Sequence, residues 1–227
     1  QVKPGPSKLD GTVNRNGAVC IACRQPVSFD TIRLEGQANR MDAELIAVVA
    51  EGQNGRLYFS ANDAQKMVSE VEKPIDYPSG QLSGKARVNV TLYGFEETGD
   101  LFTNRQPTVL TTFSDLVKEA QAKATEDALA AGMLEDEVGL ANGGIGAKAY
   151  GEALGVYLAF TVDKLADRNS SICSWIDTSA DIRPVFARQA IPMVWDFAEA
   201  NPFSFSVGCW GNRSEERRVG KECRFRW

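Results

Sequence analysis

The stretch "LGVYLAFTV", Leu154–Val162, is the longest apolar run in the chain, and it restricts the possible folds more than any other feature. It is far shorter than the roughly 20 residues a helix needs to cross a bilayer. It lies inside a helical pattern from Ala147 to about Asp167, apolar nearly all round from Gly155 to Val162. A helix without a polar face needs cover on every side. The pattern therefore predicts a buried helix with the rest of the domain packed around it. At 227 residues the chain is long enough to supply that shell, as one large domain or two small ones. Its apolar content of 43% and charged content of 24% suit a soluble globular protein.

Another helical pattern precedes this one, from Asp100 to Gly132. Leu110, Phe113, Val117 and Ala120 recur at helical spacing, and Gly132 is placed to stop the helix. Thr103 and Gln106 have capping-box spacing, while Pro107 leaves the exact start open. "LEDEVGLANGGIGA", between the two patterns, is acidic, then Gly-rich, and is expected to be mobile. After the apolar helix, "RNSSICSW" is a break. Pro184–Phe203 then reads as a third helical segment, broken or kinked near Pro192.

The upstream part reads as β. The first forty residues suggest a short β unit. Leu45–Val49 and Arg56–Ser60 form a hairpin across Gly52-Gln53-Asn54-Gly55. Asn62 or Asp63 can cap a short helix after it. Residues 73–86 are rich in Pro, Gly and Ser and read as a linker; Arg87–Phe95 alternates like a strand. The expected fold class is α+β, with a small β-rich part over 1–72, the linker at 73–86, and a strand plus helices over 87–212. No internal repeat is visible.

Residues 213–227, "RSEERRVGKECRFRW", stand apart. They hold six Lys/Arg and three Asp/Glu; without them the chain carries 19 basic and 27 acidic side chains, a net charge of −8. The body has no overall electrostatic pull on phosphate, so any nucleic-acid contact there must be local. The polar start "QVKPGPSKLDG" has no apolar signal core, and no initiator Met, so Gln1 is not expected to begin the native protein. A cytoplasmic location and no membrane partner are the expectations.

Five Cys is an odd number, which does not suit a secreted disulfide framework. There is no His, which excludes Ser-His-Asp and Cys-His nucleophile systems and any His metal ligand. Cys20 and Cys23 form a C-x-x-C knuckle. Two such thiolates can grip one Zn²⁺, but a structural site needs four ligands. The pair reads as half a zinc ribbon, completed by residues upstream; a relict or inert turn is the alternative.

Other motifs carry weaker signals. "GGIG", Gly143–Gly146, follows no strand and precedes no G-K-[ST], so it reads as a linker rather than a nucleotide loop. "NPF", Asn201–Phe203, is similar to the Asn/Asp-Pro-Pro-aromatic motif of amino-group methyltransferases, where polar groups hold the target amine and the ring stacks on a flipped base. Here the second Pro is missing, and an Asn-Pro turn is the simpler reading. Arg168, Asn169, Ser170, Ser171, Arg188, Gln189, Trp195 and Asp196 are the polar and aromatic residues that could line a cleft, together with Asn201. Caps and core packing are the alternative for each of them.

Several of these stretches resemble one family. "GTVNRNGAVCIAC", "ELIAVVAEGQNGRLYF", "LFTNRQPTVLTTFSDLVKEA", "YLAFTVDKLADRNSSICSW" and "FARQAIPMVWDFAEANPFS" occur in the order found in adenine-specific DNA methylases that carry a zinc ribbon and a domain of unknown function at the N-terminus. They cover most of Gly11–Ser204, and the last two are the most specific. The resemblance implies a Rossmann-like parent enzyme that moves a methyl group from S-adenosylmethionine to adenine N6 in double-stranded DNA, in restriction-modification or phage defence, with defence-system proteins as possible partners. It implies that the Gly-rich methyl-donor motif and the first Cys pair of the ribbon lie upstream, with Cys20 and Cys23 as the second pair. The catalytic Asp-Pro-Pro-Tyr motif is implied downstream. On that reading the chain is the inactive middle of the enzyme. The alternative is a non-catalytic module with a zinc ribbon that holds nucleic acid or a partner protein. The tail resembles a translated short-read sequencing adapter with Phe225 where Ser is expected; a basic tail selected to bind nucleic acid has the same charge pattern.

Overall fold

Short-range signals at caps and turns account for most of the elements. The computed structural model describes residues 12–204 and 209–210, so the expectations for the tail lie outside the described residues. Three short strands, β1 Val13–Asn14, β2 Gly17–Val19 and β3 Pro26–Val27, form an antiparallel sheet in sequence order. A helix that the β reading missed follows directly: α1, Phe29–Gln37, starts where Ser28 accepts a hydrogen bond from Thr31 N. Its Gly36 meets Gly94 backbone to backbone. A Cβ on Gly36 would collide with Tyr93 O, and one on Gly94 with Gly36 O. Glycine is required here to dock the N-terminal part onto the middle of the chain.

The expected hairpin is present as β4 Ala47–Gly52 and β5 Gly55–Ser60, with Val49 opposite Tyr58 and Gly52 opposite Gly55 at the turn. Helix α2, Asp63–Ser69, is capped by Asn62, with a full capping box to Gln65. Residues 73–86 lack regular structure but pack against the chain ahead of them. Leu82 N donates to Glu96 O, Thr98 N donates to Gly80 O, and Tyr77 lies against Gly99.

Arg87–Phe95 is helical rather than extended. Helix α3, Arg87–Val90, runs into a 3₁₀ turn at Thr91–Tyr93 that Gly94 ends at φ 88°. Val90 and Tyr93, both buried, are three apart, as a helical face requires; Thr91 Oγ1 bonds back to Arg87 O. The apparent alternation was too short to distinguish the two periods.

Helix α4, Arg105–Ala130, begins where Gln106 Oε1 accepts from Thr103 N at 2.8 Å, and Gly132 follows its end at φ 87°. The loop expected to be mobile is fastened. Ala147 N donates to Leu134 O, Leu140 N to a Glu152 carboxylate oxygen at 2.6 Å, and Lys148 Nζ to Glu137 O.

Helix α5, Ala147–Ala166, packs along α4 through Gly151 and Gly155, where a Cβ would press on Thr125 and Gln121. The expectation of burial on all sides is corrected. Val162 and Leu165 sit in a core with Leu110 and Phe113, while Val156 is 47% exposed and Tyr157 and Phe160 are also half exposed. Among the described residues, α4 is the one long helix against α5, so only one stripe is covered.

Strands β6 Trp175–Ile176 and β7 Asp181–Ile182 form a small hairpin. The third helix is absent: residues 183–204 contain no helix. Pro184, Pro192 and Pro202 each lack the N–H a helix needs. This segment instead runs beside β6, with a bridge between Ser174 and Phe197. It closes a second core with Val90, Leu101, Ile172, Cys173, Ile182, Val185, Ile191 and Ala200. The molecule is α+β, and no described helix is long and apolar enough to cross a membrane.

Candidate functional site

The Cys knuckle lies between β2 and β3. Cys20 N donates to Gln25 O, Arg24 N to Cys20 O, and Arg24 takes the left-handed conformation at φ 62°. This tight turn points the Cys23 and Ala22 amides at the Cys20 sulfur. Those amides, with the Cys23 thiol and the Arg24 charge behind them, hold the Cys20 thiol below its ordinary pKa. A sulfur held this way suits a metal-bound thiolate. The number of ligands does not suit a closed zinc site. No group of three or more His, Cys, Asp or Glu is gathered for a metal among the described residues; the Cys20–Cys23 pair offers two thiols where a structural zinc takes four ligands.

The expected cleft residues serve several different purposes. Arg168, at the end of α5, donates to Ile182 O at 2.7 Å and pairs with Asp181 at 3.2 Å. Asp167 beside it accepts from Val185 N at 3.0 Å and Phe186 N at 2.8 Å through one carboxylate oxygen. Asn169 is 1% exposed, and its Oδ1 has no partner. Ser170 is fully buried against the Cys173 sulfur at 3.2 Å; burial pushes the Cys173 thiol up, with Ser170 opposing the shift. Ser171 donates through N and Oγ to Leu101 O. "RNSSIC" is thus the joint between α5 and the second core.

Trp195 packs edge-on to Tyr93 at 5.0 Å, and Gln189 and Asp196 are exposed. Asn201 Oδ1 accepts from Phe203 N at 3.0 Å, so the side chain is spent on a local turn. Arg188 lines a small cavity of about 50 Å³ that also includes Arg183, a residue the sequence reading did not select. A larger cleft of about 230 Å³, between α1 and the turns around Gly94 and Gly99, was also missed; Lys73 and Asp100 are among its lining residues.

A long-range ion pair was likewise not legible in sequence. Arg105 Nε and Nη2 grip the two oxygens of Glu199 at 3.0 Å each, and its remaining nitrogen donates to Ser69 O. That fork joins the end of α2, the start of α4 and the segment before Asn201. Its partners are 36 and 94 positions away, so no local pattern could reveal them.

Comparison with models of protein families, with curated proteins and with solved structures finds no match to this chain.

Proposed function

We propose that this chain is the middle part of a DNA adenine methyltransferase that uses S-adenosylmethionine, lying between its donor-binding and catalytic motifs and inactive alone. What supports this reading is the resemblance of five segments, covering most of Gly11–Ser204, to that family in its own order. A feature of the fold supports treating the two most specific segments as one unit. Asp167 binds the amides of Val185 and Phe186, Cys173 O accepts from Ala198 N at 2.7 Å, and Ile172, Cys173, Val185 and Ile191 share a core. In this reading the parent's zinc ribbon is closed by an upstream Cys pair, and this part contributes surface to target DNA. The placement between motifs is argued by analogy with methyltransferases that put target recognition there.

The test is the source DNA on both sides of this reading frame. A Gly-rich motif and a Cys pair upstream, with Asp-Pro-Pro-Tyr downstream, are expected. Continuous reading frame lacking both catalytic motifs would overturn the proposal.

A further inference from the structure

We propose that Cys20 and Cys23 form a reversible dithiol–disulfide pair, a modification site whose co-reactant is a small-molecule disulfide of the glutathione kind. The pair has the properties described below whether or not the chain belongs to a methylase. Its two thiols fill half of a closed zinc shell, and no larger group of His, Cys, Asp or Glu is gathered for a metal among the described residues.

The turn brings the two sulfurs together. Arg24 N donates to Cys20 O at 2.9 Å, which closes one helical-type turn over Cys20–Arg24. Residues three apart in such a turn hold their Cβ atoms about 5–6 Å apart on one side. A disulfide takes Cβ atoms about 3.5–4.5 Å apart, so a shift of about 1–2 Å closes the bond. The sulfurs already meet, because the Cys23 thiol donates a hydrogen bond to the Cys20 sulfur. Below the turn, Val19 pairs with Pro26 and Cys20 N donates to Gln25 O at 2.9 Å. These contacts fix its base and confine the movement to residues 20–24.

Access separates this pair from the other described thiols. Cys23 is exposed and Cys20 half-buried, and both are free. Cys173 and Cys209 are fully buried, and Cys173 lies against Ser170 at 3.2 Å. Disulfide exchange needs a sulfur that the co-reactant can reach and a second sulfur to resolve the mixed disulfide.

The exchange balances between the pair and its co-reactant. The Cys20 sulfur, on which the Ala22 and Cys23 amides converge, attacks one sulfur of the disulfide RSSR. That S–S bond breaks, a bond from Cys20 to sulfur forms, and the leaving RS⁻ takes up the Cys20 proton as RSH. The Cys23 sulfur then attacks the Cys20 sulfur and expels the second RS⁻, which takes up the Cys23 proton. The pair has lost two electrons and two protons, and RSSR has become two RSH. A metal binds thiolates, so the oxidised knuckle has none to offer. The oxidation state of the pair thereby decides whether this turn can take part in any metal site.

The test starts from the full chain, reduced and stripped of metal with a chelator. It is placed in glutathione buffers of rising oxidised-to-reduced ratio, quenched in acid and alkylated. Trypsin releases Asn16–Arg24 with both cysteines, and mass spectrometry reads that peptide. It should pass from two alkyl groups to none with the loss of two hydrogens, and dithiothreitol should restore both alkyl groups. In Cys23→Ser, glutathione should stay on Cys20, because the resolving sulfur is gone. In urea the turn is lost, and the mixed disulfide of the unaltered chain should close about tenfold more slowly or worse. A peptide that stays doubly alkylated across the series overturns the pair, as does one that takes up two glutathiones without an internal bond. Equal closure rates in folded and unfolded chain overturn the part given to the turn. One zinc per chain before stripping, shielding both thiols from oxidised glutathione, overturns the proposal in favour of a complete metal site. The decisive readouts use the unaltered chain, so none depends on a variant folding.

Discussion

Replacing Leu165 and Val156 in turn tests which side of α5 is buried. Leu165 is fully buried in the core with Leu110, Phe113 and Val162. Leu165→Ala removes methyl groups from a site with no solvent to fill the gap, which costs roughly 2–5 kcal/mol. For a chain of this size each kcal/mol is worth about 2–4 °C, so a loss of about 3 kcal/mol lowers the melting temperature by roughly 6–12 °C. Val156 lies on the same helix at 47% exposure. Val156→Ala forfeits only part of about 0.8 kcal/mol per methylene, and alanine recovers some tenths through helix propensity. Its melt should stay within about 2–4 °C of the parent. The assay is thermal unfolding followed by circular dichroism, supported by urea titration. Comparable losses in the two variants would falsify the one-sided packing and restore a helix buried all round.

Three further outcomes are expected. Alkylation near neutral pH should label Cys20 well before Cys173. Amide donors lower the Cys20 thiol and burial raises that of Cys173, so Cys20 labelling should begin at the lower pH; mass spectrometry of the labelled peptides reads the order, and early Cys173 labelling contradicts it. Metal content after dialysis should be well below one zinc per chain, because two thiolates fill half a tetrahedral shell; a stoichiometric zinc that disappears in Cys20→Ser would reverse the ligand count. Asp167→Ala should cost about 1–3 kcal/mol, because it leaves the Phe186 amide without its carboxylate acceptor while the Val185 amide keeps only the Asp167 carbonyl; limited proteolysis should then cut more readily between residues 183 and 200, and an unchanged cutting pattern contradicts the role given to Asp167.

Features with a local signature were legible in the sequence. The Gly52–Gly55 turn, the Asn62–Gln65 cap, the Thr103–Gln106 contact and the stop at Gly132 each depend on residues within a few positions of one another. Helix α1 was missed although Ser28 is a good cap, because it is only nine residues long and the preceding strands drew the assignment. Residues 184–203 were read as helix because apolar residues recur there, but three prolines and pairing with Cys173 and Ser174 just ahead of β6 decided the backbone instead. The site was less legible still. Asn169 and Ser170 look like surface polar residues and are instead fully buried. Arg105 meets Glu199 and Ser69 O only once the chain has folded. Such choices of partner are long-range and leave no periodic trace in one sequence.

We propose that this chain lies between the donor and catalytic motifs of a DNA adenine methylase. Its most direct test is transfer of a labelled methyl group from S-adenosylmethionine to duplex DNA by two proteins side by side: the 227-residue chain, and the same chain extended through its flanking reading frame. The account predicts no incorporation above a no-protein blank for the chain alone, and label on adenine N6 for the extended protein. Methyl transfer by the 227-residue chain, or none by an extended protein that carries both motifs and is folded, would contradict it.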